Sequence, residues 1–315
     1  MVKIGRGRRI RSKIKKPSLK GKEPERTAKA ISLKKIQGAR EIAKAGIKAL
    51  GEAAKNIKYS HKKEFLLELE SIKKTLVTAS PTTPMLNNAL SFIIKEVDQH
   101  GEDNMPRYTY LLTGNYLKEL ELDINKLIRT GSEHIEKGDV IITNYHSDAV
   151  LEILKNVKDK KFSVIVIESN PSKKGLIMSK ELIKAGVDVV FCNNSAIGVV
   201  MEKATKVIVG SQAILSDGSL VNKAGTLPLA MAAKKFRVPF YAVAETLKFD
   251  SSATLGKAET IEEMDPDEII KPKKLKGAKI MNPAFDITPE EYIYRLITEK
   301  GIIKPEVLKT AFRLK

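Results

Sequence analysis

Little in this chain invites redox or metal chemistry. Of its 315 residues one is cysteine (Cys192), four are histidine and none is tryptophan. A single cysteine excludes an internal disulfide framework and fits a reducing compartment. No stretch approaches the ~18 uninterrupted apolar residues that a spanning helix needs. The basic N-terminus has neither the apolar segment nor the small-residue cleavage site of a secretory signal. A cytoplasmic chain with no membrane contact is expected. His146 has no cysteine or acidic cluster at ligand spacing around it, and no Walker-type phosphate loop occurs, so neither a metal nor a bound cofactor is expected.

What the chain has in excess is positive charge, +18 in all, unevenly spread. Residues 1–26 carry 11 Lys or Arg against Glu23 and Glu25, a net of +9, so half of the excess lies in under a tenth of the length. Gly5, Gly7, Pro17, Gly21 and Pro24 interrupt this arm, and it has too few large apolar residues to fold alone. Two readings fit it: nonspecific contact with RNA or ribosome by neutralising phosphates, or a solvated tail that aids solubility.

Beyond the arm, 42% apolar content is ordinary and the length allows two domains. Ile31, Ile36, Ala39, Ile42, Ala43, Ile47 and Leu50 recur near the helical period and predict one helix over about 28–56. Further helices are predicted over about 61–79, 85–99 and 108–129, with a break at Ser80-Pro-Thr-Thr-Pro84 because proline cannot continue a helix. The character changes at Gly138. Short β-branched runs at 139–143, 162–167, 187–192, 206–210 and 240–244 alternate with helical stretches, the pattern of a parallel sheet covered on both faces. The expected fold class is α/β: an arm (1–26), an all-helical domain (27–136) and a Rossmann-like domain (137–315).

Ligands of such sheets bind beyond the carboxyl ends of the strands, where strand order reverses. The candidate loops are therefore 144–147, 168–171, 193–195, 211–217 and 245–250. The run from Val209 to Thr226 reads as a buried strand, a Gly turn at Gly210, a polar loop, and Asn222-Lys223-Ala-Gly-Thr opening a helix, a geometry able to receive a phosphate on backbone N–H groups. Asn222 also fits a plain helix cap, and Gly210 and Gly218 fit tight turns alone. Asp286 fits a residue that orders a turn.

Eight motifs resemble one family in its order: Ile36-Gln37-Gly38-Ala39, Ser80-Pro-Thr-Thr-Pro, Thr143-Asn-Tyr145-His-Ser147, Glu168-Ser-Asn170-Pro, Asn194-Ser-Ala196, the Gly210 to Thr226 run, Glu245-Thr-Leu-Lys248-Phe, and Asn282-Pro-Ala-Phe-Asp-Ile-Thr-Pro289 with Glu299-Lys-Gly-Ile-Ile303. The family comprises isomerases of methylthioribose 1-phosphate and ribose 1,5-bisphosphate, together with the α, β and δ regulatory subunits of translation initiation factor 2B. The resemblance implies an acid–base pair formed by a cysteine in Thr-x-Cys-x-Ser and the aspartate of Gly-Ala-Asp. Here those positions hold Tyr145, which titrates near 10, and Gln212, which does not titrate. Cys192 ends a different strand and reads as a small buried residue.

It also implies arginine clamps where this chain has Gln37, Ser80 and Asn170, which cannot make an arginine's paired contacts. Gly38, Ala39, Gly210, Asn222, Lys223 and Lys248 remain as candidates for a phosphate site, and Lys173 and Lys174 add charge after Pro171.

Loss of both acid–base residues leads to the expectation of a non-catalytic regulatory subunit, sensing a nucleotide or sugar phosphate, with translation initiation factor 2 or the ribosome as partner. The alternative is an aldose–ketose isomerase with altered catalytic residues. Either way the resemblance implies a homo-oligomer, at least a dimer, formed through the Rossmann-like domain. The apolar residues of the last segment (Ile293, Leu296, Ile297, Ile302, Ile303, Val307, Leu308), which is expected to hold the last helices, would supply part core and part interface.

Overall fold

Helical spacing governs the first half of the chain. The computed structural model describes residues 23–101, 103–251 and 262–311. It opens with five helices: α1 (Glu23–Ser32), α2 (Ala39–Ala54), α3 (Lys62–Thr78), α4 (Pro84–Gln99) and α5 (Met105–Glu133). α2 buries Ile42, Ala43, Gly46, Ile47 and Leu50, and α4 buries Leu86, Ala89, Leu90, Ile93 and Val97. These steps of three and four present one stripe per helix to a shared core, completed by Phe65, Leu69, Ile72 and Leu76 of α3.

The single helix expected over 28–56 is in fact two. α1 stops at Ser32, and the chain turns through Gly38 with φ of 87°, a conformation that an L side chain disfavours by about 1–2 kcal/mol and glycine does not. The arm is also shorter at its C-terminal side than composition suggests. Residues 1–22 lie outside the described residues, but 23–26 form the first turn of α1 with Pro24 buried, a position where the missing N–H of proline costs nothing.

α5 joins the two halves. Its buried stripe runs Met105, Thr109, Thr113, Tyr116, Leu120, Ile124, Leu127 and Gly131. Tyr116 and Leu120 belong to the helical core, whereas Ile124 and Leu127 pack on the sheet that follows. The helical core therefore ends inside α5 rather than at residue 136.

Strands then alternate with helices: β1 (Val140–Asn144), α6 (Asp148–Asn156), β2 (Ser163–Glu168), α7 (Lys174–Lys184), β3 (Asp188–Asn193), α8 (Ile197–Met201), β4 (Lys206–Val209), β5 (Ala213–Leu215), β6 (Leu220–Lys223), α9 (Thr226–Phe236), β7 (Phe240–Val243), β8 (Phe249–Asp250), β9 (Phe285–Thr288), β10 (Arg295–Thr298), β11 (Gly301–Ile303) and α10 (Pro305–Ala311). The main sheet has the order β11-β10-β7-β4-β1-β2-β3, parallel except for β11. Period-two alternation fills both faces: Ile141, Val164, Val166 and Ile208 face α6 and α7, while Ile142, Ile165, Val207 and Val209 face α9. The all-helical domain followed by a doubly covered parallel sheet is as the sequence predicts.

Elements 213–223 and 285–303 are not. The polar loop after β4 is a hairpin, β5 and β6, and the last segment is three strands and one helix rather than helices alone. β8, β5, β6 and β9 form a second, four-stranded sheet. Of the last segment's apolar residues, Ile293, Leu296, Ile297 and Leu308 are buried, while Ile302 and Val307 are exposed.

Candidate active site

Strand order reverses between β1 and β4, so the crevice at their carboxyl ends is the switch point. Two loops meet there, 144–147 after β1 and 210–212 after β4. They touch closely: a Cβ built on Gly210 would lie 2.5 Å from Ser147 Oγ and 2.7 Å from Ser147 Cβ, which is why position 210 takes glycine. Ser147 in turn caps α6 by accepting from Val150 N. The second sheet stands over this crevice, with Gln212, Asn222 and Asp286 in one row across its strands, since Asn222 pairs with Asp286 and Gln212 N donates to Val221 O at 2.9 Å.

The two positions where the acid–base pair was expected both face the crevice. Tyr145 follows β1 with φ of 60°, a left-handed conformation uncommon for a residue with a side chain. Burial raises its phenol pKa, and a hydrogen bond with Ser172 works against that rise. Gln212 donates through Nε2 to Thr82 O at 3.1 Å and to Thr83 Oγ1 at 3.0 Å. Thr83 Oγ1 also lies 2.8 Å from Ser80 Oγ. Two of the altered positions, Ser80 and Gln212, are thus joined through one hydroxyl, a link invisible at a separation of 132 residues. Gln37 is exposed and donates to Lys34 O at 2.7 Å, and Asn170 is exposed.

The helix expected to begin at Lys223 begins three residues later. Lys223 ends β6, and α9 starts at Thr226 with Gly225 as its cap, φ 104°. Its N-terminus is already occupied by an anion: Asp286 Oδ2 accepts from Gly225 N at 2.7 Å and Leu227 N at 3.0 Å. Asn222 Nδ2 and Asn144 Nδ2 both donate to Thr226 Oγ1, which itself donates to Lys223 O. Asn222 is therefore tied through Nδ2 to this hydroxyl.

Lys248 is likewise committed. It is buried, pairs with Glu245 at 2.7 Å and donates to Ser211 O at 3.0 Å. Sequence reasoning missed the third member of this cluster, Arg40, although it directly follows Gln37-Gly38-Ala39. Its Nε and Nη2 reach Glu245 Oε1 at 3.0 and 2.6 Å, fastening α2 to the carboxyl end of β7. Burial alone would raise the Glu245 carboxyl, but Lys248 and Arg40 prevail and hold its pKa down to about 2.

Lys223 differs from both. It is half-buried, yet its ammonium makes no ion pair or hydrogen bond among the described residues. It lies 4.0 Å from the Phe285 ring centroid and 5.4 Å from that of Tyr145. Desolvation lowers its pKa to about 8; Lys34 and Lys174 push the same way and Glu262 opposes them. Cys192 sits on β3 at the far edge of the sheet, with its thiol pKa raised by burial, and contributes nothing to the crevice. A surface cleft of about 630 Å³ opens at the amino ends of β7 and β10 between Arg237, Tyr294, Arg295 and Lys304. It lies at the opposite end of these strands and holds none of these groups.

The chain is thus a doubly wound α/β protein with a helical domain docked on the carboxyl edge of its sheet and a polar site at the switch point. It belongs to the initiation factor 2 subunit family, whose model matches residues 35–305. It is 34% identical to the ribose 1,5-bisphosphate isomerase of Methanocaldococcus jannaschii, over 89% of this chain and 91% of that protein. Among solved structures it is similar to the translation initiation factor eIF-2B of Pyrococcus horikoshii OT3, at a TM-score of 0.77 and 30% identity over 90% of this chain and 97% of that one. It is also similar to the 5-methylthioribose 1-phosphate isomerase of the same organism, at a TM-score of 0.74 and 27% identity over 93% and 88%.

These likenesses correct the expectation of a non-catalytic regulatory subunit. Several relatives at 30–35% identity over about nine-tenths of this chain carry the name of an enzyme, ribose 1,5-bisphosphate isomerase. The family's thiol and carboxylate are two side chains, whereas the similarity to these enzymes extends over about nine-tenths of the chain.

Proposed function

We propose that the protein is an aldose–ketose isomerase with altered catalytic residues, acting on a furanose phosphorylated at C1, with ribose 1,5-bisphosphate as the preferred substrate. The observation that carries this reading is the 34% identity to a named ribose 1,5-bisphosphate isomerase across nine-tenths of both chains, against 27% to the methylthioribose phosphate enzyme. The site supports it with Lys223, a half-buried lysine at the switch point that makes no ion pair among the described residues. Tyr145 and Phe285 wall the crevice, and Lys174 and Lys34 add long-range positive potential. The direct test incubates the purified full chain with ribose 1,5-bisphosphate and follows the ketose product by phosphorus NMR. Turnover is expected; tight binding without product, or neither, overturns the reading.

The same reading supports self-association. The edge strand β3 and the helix after it expose Val190, Phe191 and Val199, at 49%, 46% and 73%, where the inner strands of the sheet are covered on both faces. A homo-oligomer is expected in sedimentation at micromolar concentration, and a monomer there counts against it.

A further inference from the structure

The isomerase reading leaves a chemical gap, because Gln212 exchanges no proton and Cys192 is remote. The groups that face the crevice decide what could fill it. From the loop after β1 comes the Tyr145 phenol, from β6 the Lys223 amine, from α7 Lys174, and from the α1–α2 turn and the chain after 261 Lys34 and Glu262. Asp286 on β9 caps α9 through Oδ2, and burial raises the pKa of its carboxyl. His146 pairs instead with Asp148 and Glu181, each at 3.6 Å. Lys223 and Tyr145 are the two that meet, the Lys223 ammonium lying 5.4 Å from the Tyr145 ring centroid.

Resting on that reading, we propose that Lys223 and Tyr145 are the proton-carrying pair of the isomerisation, the Lys223 amine as base and the Tyr145 phenol as acid. A furanose with phosphate on C1 cannot open to a free aldehyde, so ring opening and hydrogen movement are joined. The Lys223 amine takes the proton of the 2-hydroxyl, and the freed O–H electron pair forms the C2=O bond. The C2 hydrogen moves with its electron pair to C1. The bond from C1 to the ring oxygen breaks, and that oxygen takes the Tyr145 proton. Solvent then returns one proton from the Lys223 ammonium to the Tyr145 phenolate, so no outside oxidant or reductant is needed. The aromatic walls serve this chemistry by withholding the carboxylate that would keep a lysine permanently charged, and a lysine brought toward neutrality is a usable base.

The experiment measures binding and turnover of ribose 1,5-bisphosphate by the full chain across pH for wild type, Lys223→Arg, Lys223→Gln and Tyr145→Phe. Wild-type kcat should rise about tenfold per pH unit below about 8 and level above it, as the amine loses its proton. Lys223→Arg keeps the positive charge near the phosphate but cannot act as a base, so kcat should fall about 10²–10⁴-fold with KM changed only a few-fold. Lys223→Gln should lose both, and Tyr145→Phe should lose kcat alone. If Lys223→Arg retains kcat within tenfold and the pH limb persists, Lys223 is a charge clamp only and the proposal fails while the isomerase stands. If the wild type binds the sugar and never turns it over, isomerase and proposal fall together.

Discussion

Two lysines twenty-five positions apart near the carboxyl edge of the sheet, Lys248 buried and Lys223 half-buried, live in opposite electrostatic worlds. Lys248 is held by Glu245 and by Ser211 O, and with Arg40 it forms a closed cluster in which each charge has its partner. Lys223 meets two aromatic rings and no carboxylate among the described residues. The first arrangement fixes a domain contact, because a buried carboxylate between two cations is worth its desolvation only while all three are present. The second does no such fastening and keeps a charge in a place that disfavours it. Lys248 is spent on fastening, while Lys223 makes no ion pair among the described residues.

The sharpest way to break that contrast is Glu245→Gln, which leaves Arg40 and Lys248 facing each other without an anion. Destabilisation of about 3–5 kcal/mol is expected from urea unfolding at neutral pH, since removing one partner strands buried charge. The pH dependence has a definite sign. Glu245 titrates near 2 when folded against 4.5 unfolded, so its contribution is present above about 4.5 and drains away as pH falls towards 2. The variant should lose less stability than wild type across that acid range. An unfolding midpoint equal to that of wild type would mean that the cluster fastens nothing.

The matching change on the other side is Lys223→Met, and its sign is reversed. The lysine titrates near 8 folded and 10.5 unfolded, so its charged form penalises the folded state below about 8, and stability recovers as pH rises from there towards 10.5. At pH 7 the methionine variant should be more stable by up to about 3 kcal/mol, the equivalent of that displacement. The gain should vanish by pH 10 to 11. A variant that gains stability as it loses activity is what a functional site built on strain produces. If Lys223→Met is less stable than wild type at pH 7, the lysine has a structural partner after all.

The contrast also explains what the sequence could and could not disclose. The helices after residue 60 and five of the six parallel strands of the main sheet were legible because each carries its own periodicity, as in Leu69, Ile72 and Leu76, or Val164 and Val166 against Ile165 and Ile167. The break at Gly38 was not, because an apolar period runs on across it. β5, β6 and β9 to β11 are three or four residues long and were lost among turn-forming residues. For the site, motif order brought Tyr145, Gln212, Asn222, Lys223 and Lys248 forward, and they lie in or beside the loops and strands next to the switch point. It could not say that Lys248 was spent and Lys223 was not, because that depends on Arg40 and Glu245, 205 residues apart in the chain. Charge counts along a sequence carry no information about pairing across it.

A smaller effect is expected where the site has replaced charge by neutral hydrogen bonds. Gln212→Glu retains shape but puts carboxylate oxygens against Thr82 O, which offers no proton. A loss of about 1–3 kcal/mol is expected for an acceptor and a donor left unmatched, less than for the charged cluster. Thermal unfolding of Gln212→Glu and of Gln212→Glu with Thr83→Ala separates the two bonds. No change in the single variant would show that the Ser80, Thr83 and Gln212 network is incidental.

The smallest expected effect tests whether Lys223 feels charge at a distance. Lys34 pairs with Glu262 at 3.4 Å, with both side chains more than two-fifths exposed, so Lys34→Ala should alter stability by less than about 1 kcal/mol. Its influence on Lys223 runs through space: Lys34 lowers that pKa and Glu262 raises it. Removing Lys34 leaves Glu262 unopposed, so the titration of Lys223 should move upward and the acid limb of activity with it. Both effects should shrink at high salt, where exposed charges are screened within about 3 Å at 1 M. A melting temperature unchanged and a pH limb displaced would separate the two kinds of charge in one variant. A melting temperature that falls as far as in Glu245→Gln would erase the distinction between them.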